Sequence, residues 1–178
     1  MIARWDRAVV EAFQHAHWGP ANWVFIHLSD WWVHSVLIIG IGLGADLGAR
    51  RRPIAAALST AAYLVADWID IALKRAFARP RPPLVDPAVH PLVPVPHSYS
   101  MPSGHATTAF AAALAVGLVH PRLRLPLMTL AALIAVSRVW LGVHYLSDVL
   151  VGAAIGLVTS LTLWRVARGI IGARTSSP

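Results

Sequence analysis

Long apolar runs separated by short polar connections make up most of this chain. The runs occupy residues 31–49, 53–73, 104–120, 124–142 and 146–167. Each run has about the 17 to 25 residues that an α-helix needs to cross a bilayer. The pattern therefore predicts an all-α, polytopic transmembrane helical bundle with five crossings.

The N-terminal segment has a different pattern. Residues 5–28 mix charged with apolar side chains and are interrupted at Gly19-Pro20. We interpret them as a helix in the membrane interface, with a sixth crossing as the alternative, so that the bundle has five to six spans. The charges also break the apolar core of a cleaved signal peptide, and we expect the N-terminus to be retained. Five tryptophans fit an aromatic belt at the headgroups, with core packing as the alternative: Trp5, Trp18, Trp23, Trp31 and Trp32.

The composition agrees with a membrane location. Hydrophobic residues make up 57% of the chain and charged residues 13%, and the mean hydropathy is +0.60, values that indicate an integral membrane protein. Because no long polar linker is present, we expect one domain over residues 1–178, with the interfacial helix in 1–30, the bundle in 31–168 and an external loop in 79–103. Cysteine is absent, which excludes disulfides and thiolate chemistry.

The net charge of +7 comes largely from arginine clusters. A basic chain can bind nucleic acid, but these clusters lie between apolar runs, as orienting charges do, and we expect no nucleic-acid partner. Arginines at 50–52, 122–124 and 165–174 are then cytoplasmic. The polar segments 74–103 and 143–145 face outward, which predicts a site on the extracytoplasmic side of the cell (inner) membrane.

Proline and glycine have separate meanings here. Eight prolines between residues 79 and 102 exclude a regular helix or a central strand and predict a rigid external loop. Six glycines have the small-residue spacing that lets membrane helices approach closely, and we assign them to packing: Gly40, Gly42, Gly44, Gly48, Gly152 and Gly156.

Three sequence motifs fall on the predicted outer face. They are KRAFARPRP at 74–82, PSGH at 102–105 and SRVWLGVHYLSD at 137–148. Together they match K-x6-R-P, P-S-G-H and S-R-x5-H-x3-D, in that order. This combination resembles the membrane branch of the type 2 phosphatidic acid phosphatase (PAP2) superfamily. The motifs themselves cover only residues 74–148.

The residue types suit phosphate chemistry without the resemblance. Ser103 can cap a helix that begins at Gly104, where free backbone N–H groups and the helix dipole attract an anion. Gly104 lets a phosphate oxygen approach the backbone, although an ordinary helix cap is the alternative. Cationic side chains can stabilise the spread charge of a phosphoryl group, and the motifs supply three of them: Lys74, Arg81 and Arg138. Lys74 has a second possible role, anchoring a helix end in a pair with Asp70.

Histidine and aspartate four residues apart form the other candidate group. His144 and Asp148 would share a helix face, so that the carboxylate accepts from one imidazole nitrogen and the other is free to attack. A structural contact is the alternative. The constellation contains one carboxylate, too few for a two-metal site, and we therefore expect catalysis without metal or another cofactor.

The resemblance implies specific roles. His144 would attack phosphorus and form a phosphohistidine, His105 would protonate the leaving oxygen and then activate water, and Asp148 would orient His144. The phosphate would be bound by five residues: Lys74, Arg81, Ser103, Gly104 and Arg138. The remaining histidines fit none of the motifs and are interpreted as interfacial or exposed, with His97 beside PSGH as a possible substrate contact: His15, His17, His27, His34, His90 and His120.

The resemblance also implies the expected function and substrate: a lipid phosphatase whose partners are a phosphorylated lipid and the surrounding membrane lipids. Undecaprenyl diphosphate is the favoured substrate, with phosphatidic acid and phosphatidylglycerol phosphate as alternatives. A lipid phosphotransferase and a non-catalytic lipid-binding protein are the alternatives of other classes. The sequence contains no signal of oligomeric state.

Overall fold

The computed structural model describes residues 4–50 and 52–175, and all regular structure in that part is helical, as predicted. A π-helical turn, Val33–Leu37, leads directly into α3. The α-helices are α1 (Arg4–His15), α2 (Gly19–Leu28), α3 (Ile38–Gly48), α4 (Ile54–Phe77), α5 (Pro82–Val85), α6 (Gly104–Val119), α7 (Pro121–Trp140) and α8 (Leu146–Thr175). Arg51 and the side chain of Arg174, two members of the predicted arginine clusters, lie outside the described residues.

Five helical segments correspond to the five predicted crossings of this integral membrane protein. The helical region Ile54–Val85, which includes α4, is long and apolar enough to cross a membrane. Helices α7 and α8 meet the same criterion. The turn with α3 meets the same criterion together with α2, from which it is bent by 63°. The fifth segment, α6, is apolar but has only 16 residues, or about 24 Å at 1.5 Å per residue.

Helix α6 lies at the centre of the bundle. It packs against α4, α7 and α8, so protein rather than lipid covers most of its surface. Alanines let the neighbouring helices approach closely. The buried ones are Ala106, Ala109, Ala111, Ala112, Ala113 and Ala115. Because α6 begins with the PSGH motif, this central position brings Gly104 and His105 to the middle of one end of the bundle.

The glycine prediction is correct for three of the six positions. An added Cβ at Gly152 would lie 2.7 Å from Ser103 O, and one at Gly42 would lie 2.9 Å from a methyl group of Val116. At Gly156 it would overlap Thr107 O. The prediction is wrong for three glycines of α3 that are exposed and have no neighbouring atoms within 4 Å of the added Cβ: Gly40, Gly44 and Gly48.

We expect Gly156→Ala to destabilise the fold by about 1–3 kcal/mol, because α8 would have to move away from the α6 backbone. Thermal unfolding in detergent, followed by tryptophan fluorescence, measures the change. Gly44→Ala is the matched control, since it adds the same methyl group in open space and alanine favours helix. Equal unfolding temperatures for the two variants would contradict the close α6–α8 contact.

The N-terminal segment forms two helices rather than one. Helix α1 ends at His15, and Gly19-Pro20 begins α2 instead of interrupting a helix. Proline is compatible with the first helical turn, where its missing N–H has no intrahelical partner. The predicted aromatic belt agrees with the exposure of all five tryptophans, which excludes core packing: Trp5, Trp18, Trp23, Trp31 and Trp32.

A buried hydrogen-bonded pair, Asp46 and His120, closes the end of the bundle opposite the PSGH motif. Asp46 of α3 is fully buried, and its Oδ2 accepts hydrogen bonds from the backbone N–H groups of Ala55 (2.8 Å) and Ala56 (3.1 Å). Its Oδ1 lies 2.8 Å from His120 Nε2. His120, which is partly buried at the end of the bundle, therefore has a structural partner that the sequence analysis did not predict. The pair joins the ends of α3 and α6 to the start of α4.

The proline-rich segment folds back over the PSGH end of the bundle. Leu92 N donates to Leu141 O (3.1 Å), and Ser100 N donates to Arg79 O (2.9 Å). The segment contains one short helix, α5, which the sequence did not predict and which begins with the two prolines Pro82 and Pro83. The proline-rich segment therefore covers the junction of α4, α6 and α7, where the motifs meet.

Candidate active site

A cavity of about 200 Å³ lies beneath the proline-rich segment, where α4 and α7 end and α6 begins. It contains six of the eight predicted site residues in its lining: Lys74, Arg81, Gly104, His105, Arg138 and His144. The other two, Ser103 and Asp148, are buried behind it. Pro96 and Ser98 supply part of the wall from the proline-rich segment. His97 lies between them but is exposed and does not line the cavity.

Arg81 is held rigidly beside His144. Its Nε donates to Ser98 O (2.8 Å), and its Nη1 donates to Val143 O (2.9 Å). The same Nη1 lies 3.0 Å from His144 Nε2. Since a guanidinium can only donate, this contact requires an unprotonated Nε2 with its lone pair toward Arg81.

His144 lies in the connection before α8, not on a helix as expected. The connection nevertheless places the His144 imidazole near Asp148, with 3.5 Å between His144 Nδ1 and Asp148 Oδ2. Asp148 Oδ2 also accepts from Tyr145 N (2.9 Å), which fixes the carboxylate. Burial lowers the pKa of His144 well below its ordinary value, and the nearby cations, Arg81 first, lower this pKa further. The imidazole is therefore neutral at neutral pH, the form that has a nucleophilic lone pair.

Lys74 has the predicted partner. Its Nζ donates to both carboxylate oxygens of Asp70, each at 2.7 Å, and to Pro102 O. Asp70 also lies against the start of α6, because a Cβ added at Gly104 would be 3.1 Å from Asp70 Oδ2. Asp70 thus lines the cavity, which the sequence analysis missed. The Lys-Asp spacing of four was its only local signal.

Ser103 occupies the N-cap position of α6, but its hydroxyl makes no capping hydrogen bond. This corrects the predicted role of the side chain. The backbone of Ser103 makes the hydrogen bonds at this position: its N–H donates to Asp148 O (3.0 Å), and its carbonyl oxygen accepts from Thr107 N (2.9 Å). The PSGH motif is therefore tied directly to the His144–Asp148 region.

The sequence analysis also missed the partners of His105. Its Nε2 lies 2.9 Å from Ser29 O, which puts a proton on Nε2 because a carbonyl only accepts. His34 packs against it, with ring centroids 4.4 Å apart. His34 is 5% exposed and its Nδ1 is 3.1 Å from Thr108 Oγ1. His34 was wrongly interpreted as interfacial or exposed, and the sequence around it contains no motif that could have corrected this.

Several predicted site residues in or behind the cavity have a buried polar atom without a hydrogen-bond partner. In the described part of the chain, three such atoms belong to predicted site residues: Ser103 Oγ, Arg138 Nε and His144 Nδ1. Arg138 itself is buried at the end of α7. Leaving such groups unpaired is costly unless a ligand or water completes them. With Lys74 and Arg81, this lining can hold a tetrahedral anion against a neutral imidazole.

A family model provides the independent comparison. The model of the PAP2 superfamily matches residues 55–171. This chain belongs to the PAP2 superfamily. The matched region contains all three motifs, so the sequence resemblance is confirmed. Ser29, which follows α2, and His34, in the π-helical turn, precede the PAP2 match.

Named relatives of this PAP2 chain are lipid-phosphate enzymes. The decaprenylphosphoryl-5-phosphoribose phosphatase of Mycobacterium tuberculosis is 42% identical over 118 residues, which are 64% of this chain and 62% of the relative. The undecaprenyl-diphosphatase BcrC of Bacillus subtilis is 27% identical over 74% of this chain and 66% of its own length. The match thus spans less than two thirds of the Mycobacterium tuberculosis protein.

A solved structure agrees with the PAP2 assignment. The crystal structure of Aquifex aeolicus LpxE matches with a TM-score of 0.75 and 26% identity, over 89% of this chain and 93% of that one. This likeness covers more of the chain than the family model, whose match begins at residue 55.

Proposed function

We propose that this chain is a membrane-embedded phosphatase that removes phosphate from a polyprenyl-linked lipid, with undecaprenyl diphosphate as the favoured substrate. The observation that carries the proposal is the contact between Arg81 and His144 Nε2 in a cavity that is also lined by Lys74 and Arg138. Cations around a nucleophile stabilise the charge of a transferring phosphoryl group.

The proposed reaction has two steps. His144 Nε2 forms a bond to phosphorus while the phosphorus–oxygen bond to the lipid breaks, and His105, protonated on both ring nitrogens before this step, gives its Nδ1 proton to the leaving oxygen. His105 then takes a proton from water, which attacks phosphorus, breaks the nitrogen–phosphorus bond and releases phosphate. Asp148 holds the His144 tautomer with its proton on Nδ1. The phosphate oxygens bind to Lys74, Arg81, Arg138 and the backbone at Ser103-Gly104.

The substrate class is supported by the site's place in the molecule and by the relatives. The cavity opens at one end of a bundle of apolar helices, where a headgroup could enter while its tail stays in the bilayer. Both named relatives act, by name, on polyprenyl-linked substrates. Decaprenylphosphoryl-5-phosphoribose is therefore an added competitor to undecaprenyl diphosphate, together with phosphatidic acid and phosphatidylglycerol phosphate.

We further propose that the reaction needs no metal. The charged lining has three fixed cations, Lys74, Arg81 and Arg138, and a single carboxylate, Asp70, which is already engaged with Lys74. Such a lining repels a divalent cation, and oxygen ligands are what magnesium and calcium require. The cations themselves supply the charge stabilisation that a metal would provide.

The proposed site faces the extracytoplasmic side of the cell membrane. The cavity lies at the end of the bundle opposite Arg50, Arg52 and Arg122, and arginine-rich connections favour the cytoplasm. Protease cleavage at a site inserted in residues 83–101 should therefore occur from the periplasmic or external side in intact cells or spheroplasts. Cleavage only after membrane permeabilisation would overturn the orientation.

A lipid panel with chelator present tests the function. Purified full-length protein is incubated with each of the four candidate lipids and excess EDTA, and free phosphate is measured. We expect release from undecaprenyl diphosphate at a rate unchanged by EDTA. Loss of release that magnesium restores would overturn metal independence, and release from none of the four would overturn the lipid assignment. Transfer of labelled phosphate to an added alcohol, without free phosphate, would instead favour a phosphotransferase.

A further inference from the structure

A second layer of ion pairs lies behind the cavity, away from the predicted phosphate ligands. Arg79 is not part of the K-x6-R-P match, yet its Nη1 forms an ion pair with Asp148 Oδ1. Its Nη2 lies 2.7 Å from Asp6 Oδ2. Asp6 and Asp148 are 1% and 0% exposed, so one guanidinium bridges two buried carboxylates.

The Asp6 carboxylate is fully engaged at this site. Its Oδ1 accepts from Ser147 N (3.0 Å), and its Oδ2 accepts from Ser147 Oγ as well as from Arg79. The Arg79 guanidinium also donates to Ser147 Oγ (2.6 Å) and lies over the ring of Tyr145, 4.2 Å from its centroid. Helix α1 is thereby docked onto the turn that carries His144, although the two are about 140 residues apart.

The charges explain what this docking does to the nucleophile. Asp148 presents Oδ2 toward His144 Nδ1 and Oδ1 toward Arg79. If Arg79 had no other partner, its whole charge would act on Asp148 and pull the carboxylate away from the imidazole. The Asp6 carboxylate pairs with Nη2 of the Arg79 guanidinium and balances part of its positive charge. In a low-dielectric site such a network acts as a unit.

We propose that Asp6, acting through Arg79, is a positioning residue that holds Asp148 against the nucleophile His144, so that turnover depends on the docking of α1. The proposal rests on the proposed function. Asp6 does not line the cavity and touches no predicted phosphate ligand. Its loss should therefore slow the chemical step and leave substrate binding intact.

Asp6→Asn in the full-length protein tests the proposal. The substrate is undecaprenyl diphosphate, or the panel lipid with the highest turnover. We expect kcat to fall about tenfold, equivalent to about 1.4 kcal/mol, with KM within twofold of the wild type. Arg79→Lys keeps the charge but cannot bridge two carboxylates, and it should produce the same loss. The double variant should be no slower than either single variant, because both break the same network.

Two controls separate positioning from packing and from charge. Val10→Ala removes buried apolar contact from the same helix without touching the ion pairs. It should lower the unfolding temperature and leave kcat unchanged. Glu11→Gln removes an exposed carboxylate from α1 and should change neither quantity.

The possible outcomes are distinct. Wild-type kcat in Asp6→Asn, additive losses in the double variant, or an equal loss in Val10→Ala would each overturn the proposal. If Asp6→Asn does not fold, Arg79→Lys decides in the same way. If His144→Ala is as active as the wild type, the proposed function itself fails, whereas an inactive His144→Ala beside an unaffected Asp6→Asn refutes only the positioning role.

Discussion

His144→Ala should lower kcat by at least about a thousandfold and abolish phosphoenzyme formation. The substitution removes the lone pair that faces Arg81 across 3.0 Å, and no other group in the cavity lining offers a neutral nitrogen at that point. Loss of a nucleophile has an effect of this size because the two-step route disappears, while the remaining cations still stabilise some transition-state charge. Phosphate release under saturating lipid measures kcat, and brief reaction with labelled substrate followed by alkaline quench measures phosphohistidine.

The control for this prediction concerns folding. His144 is almost fully buried and contacts Arg81, so its removal could disturb the site. His144→Gln keeps a hydrogen-bond acceptor for Arg81 but has no nucleophilic nitrogen, and it should be equally inactive with a near-native unfolding temperature. Wild-type turnover in either folded variant would refute the phosphohistidine route.

His105→Ala should lower steady-state turnover by about a hundred- to a thousandfold and cause phosphoenzyme to accumulate. In the proposed cycle His105 serves both steps, as acid and then as base. An aryl phosphate with a good leaving group needs little acid assistance. With p-nitrophenyl phosphate, the variant should therefore release about one equivalent of nitrophenolate rapidly and then stall, because water is no longer activated.

His90→Ala removes an exposed histidine of the proline-rich segment that does not line the cavity, and it should behave like the wild type. An His105→Ala enzyme that loses turnover without a nitrophenolate burst would contradict the role in the second step. The contact from His105 Nε2 to Ser29 O predicts that the other nitrogen, Nδ1, handles the proton.

Much of this molecule follows from local properties of the sequence. The lengths of the apolar runs predicted five crossings; in the described residues three helical regions and the bent pair of α2 with the segment before Gly48 are long and apolar enough to cross a membrane, and the fifth run forms the shorter helix α6. The three motifs predicted which residues would meet, and six of the eight line one cavity. That prediction rested on the three motifs in combination and on their resemblance to the PAP2 superfamily, because residue types alone left structural alternatives open at each motif.

Other features depended on how the helices pack. The exposure of Gly40, Gly44 and Gly48, the burial of His34 and the pairing of His120 with Asp46 could not be predicted. Each depends on which side of a helix meets a neighbour, and a helix that is apolar all round carries no periodic signal of that side. His144 likewise lies in a connection rather than on the expected helix.

The partners of the site residues show the same division. Sequence determined that His144, His105 and the cations were candidates, since their chemistry is intrinsic to each side chain. Only the tertiary structure decided that Asp6 and Arg79 lie behind Asp148 and that Ser29 holds His105. These contacts join positions far apart in the chain. They form because α1 and α2 pack against the bundle and supply hydrogen-bond partners for buried polar groups that have none among their sequence neighbours.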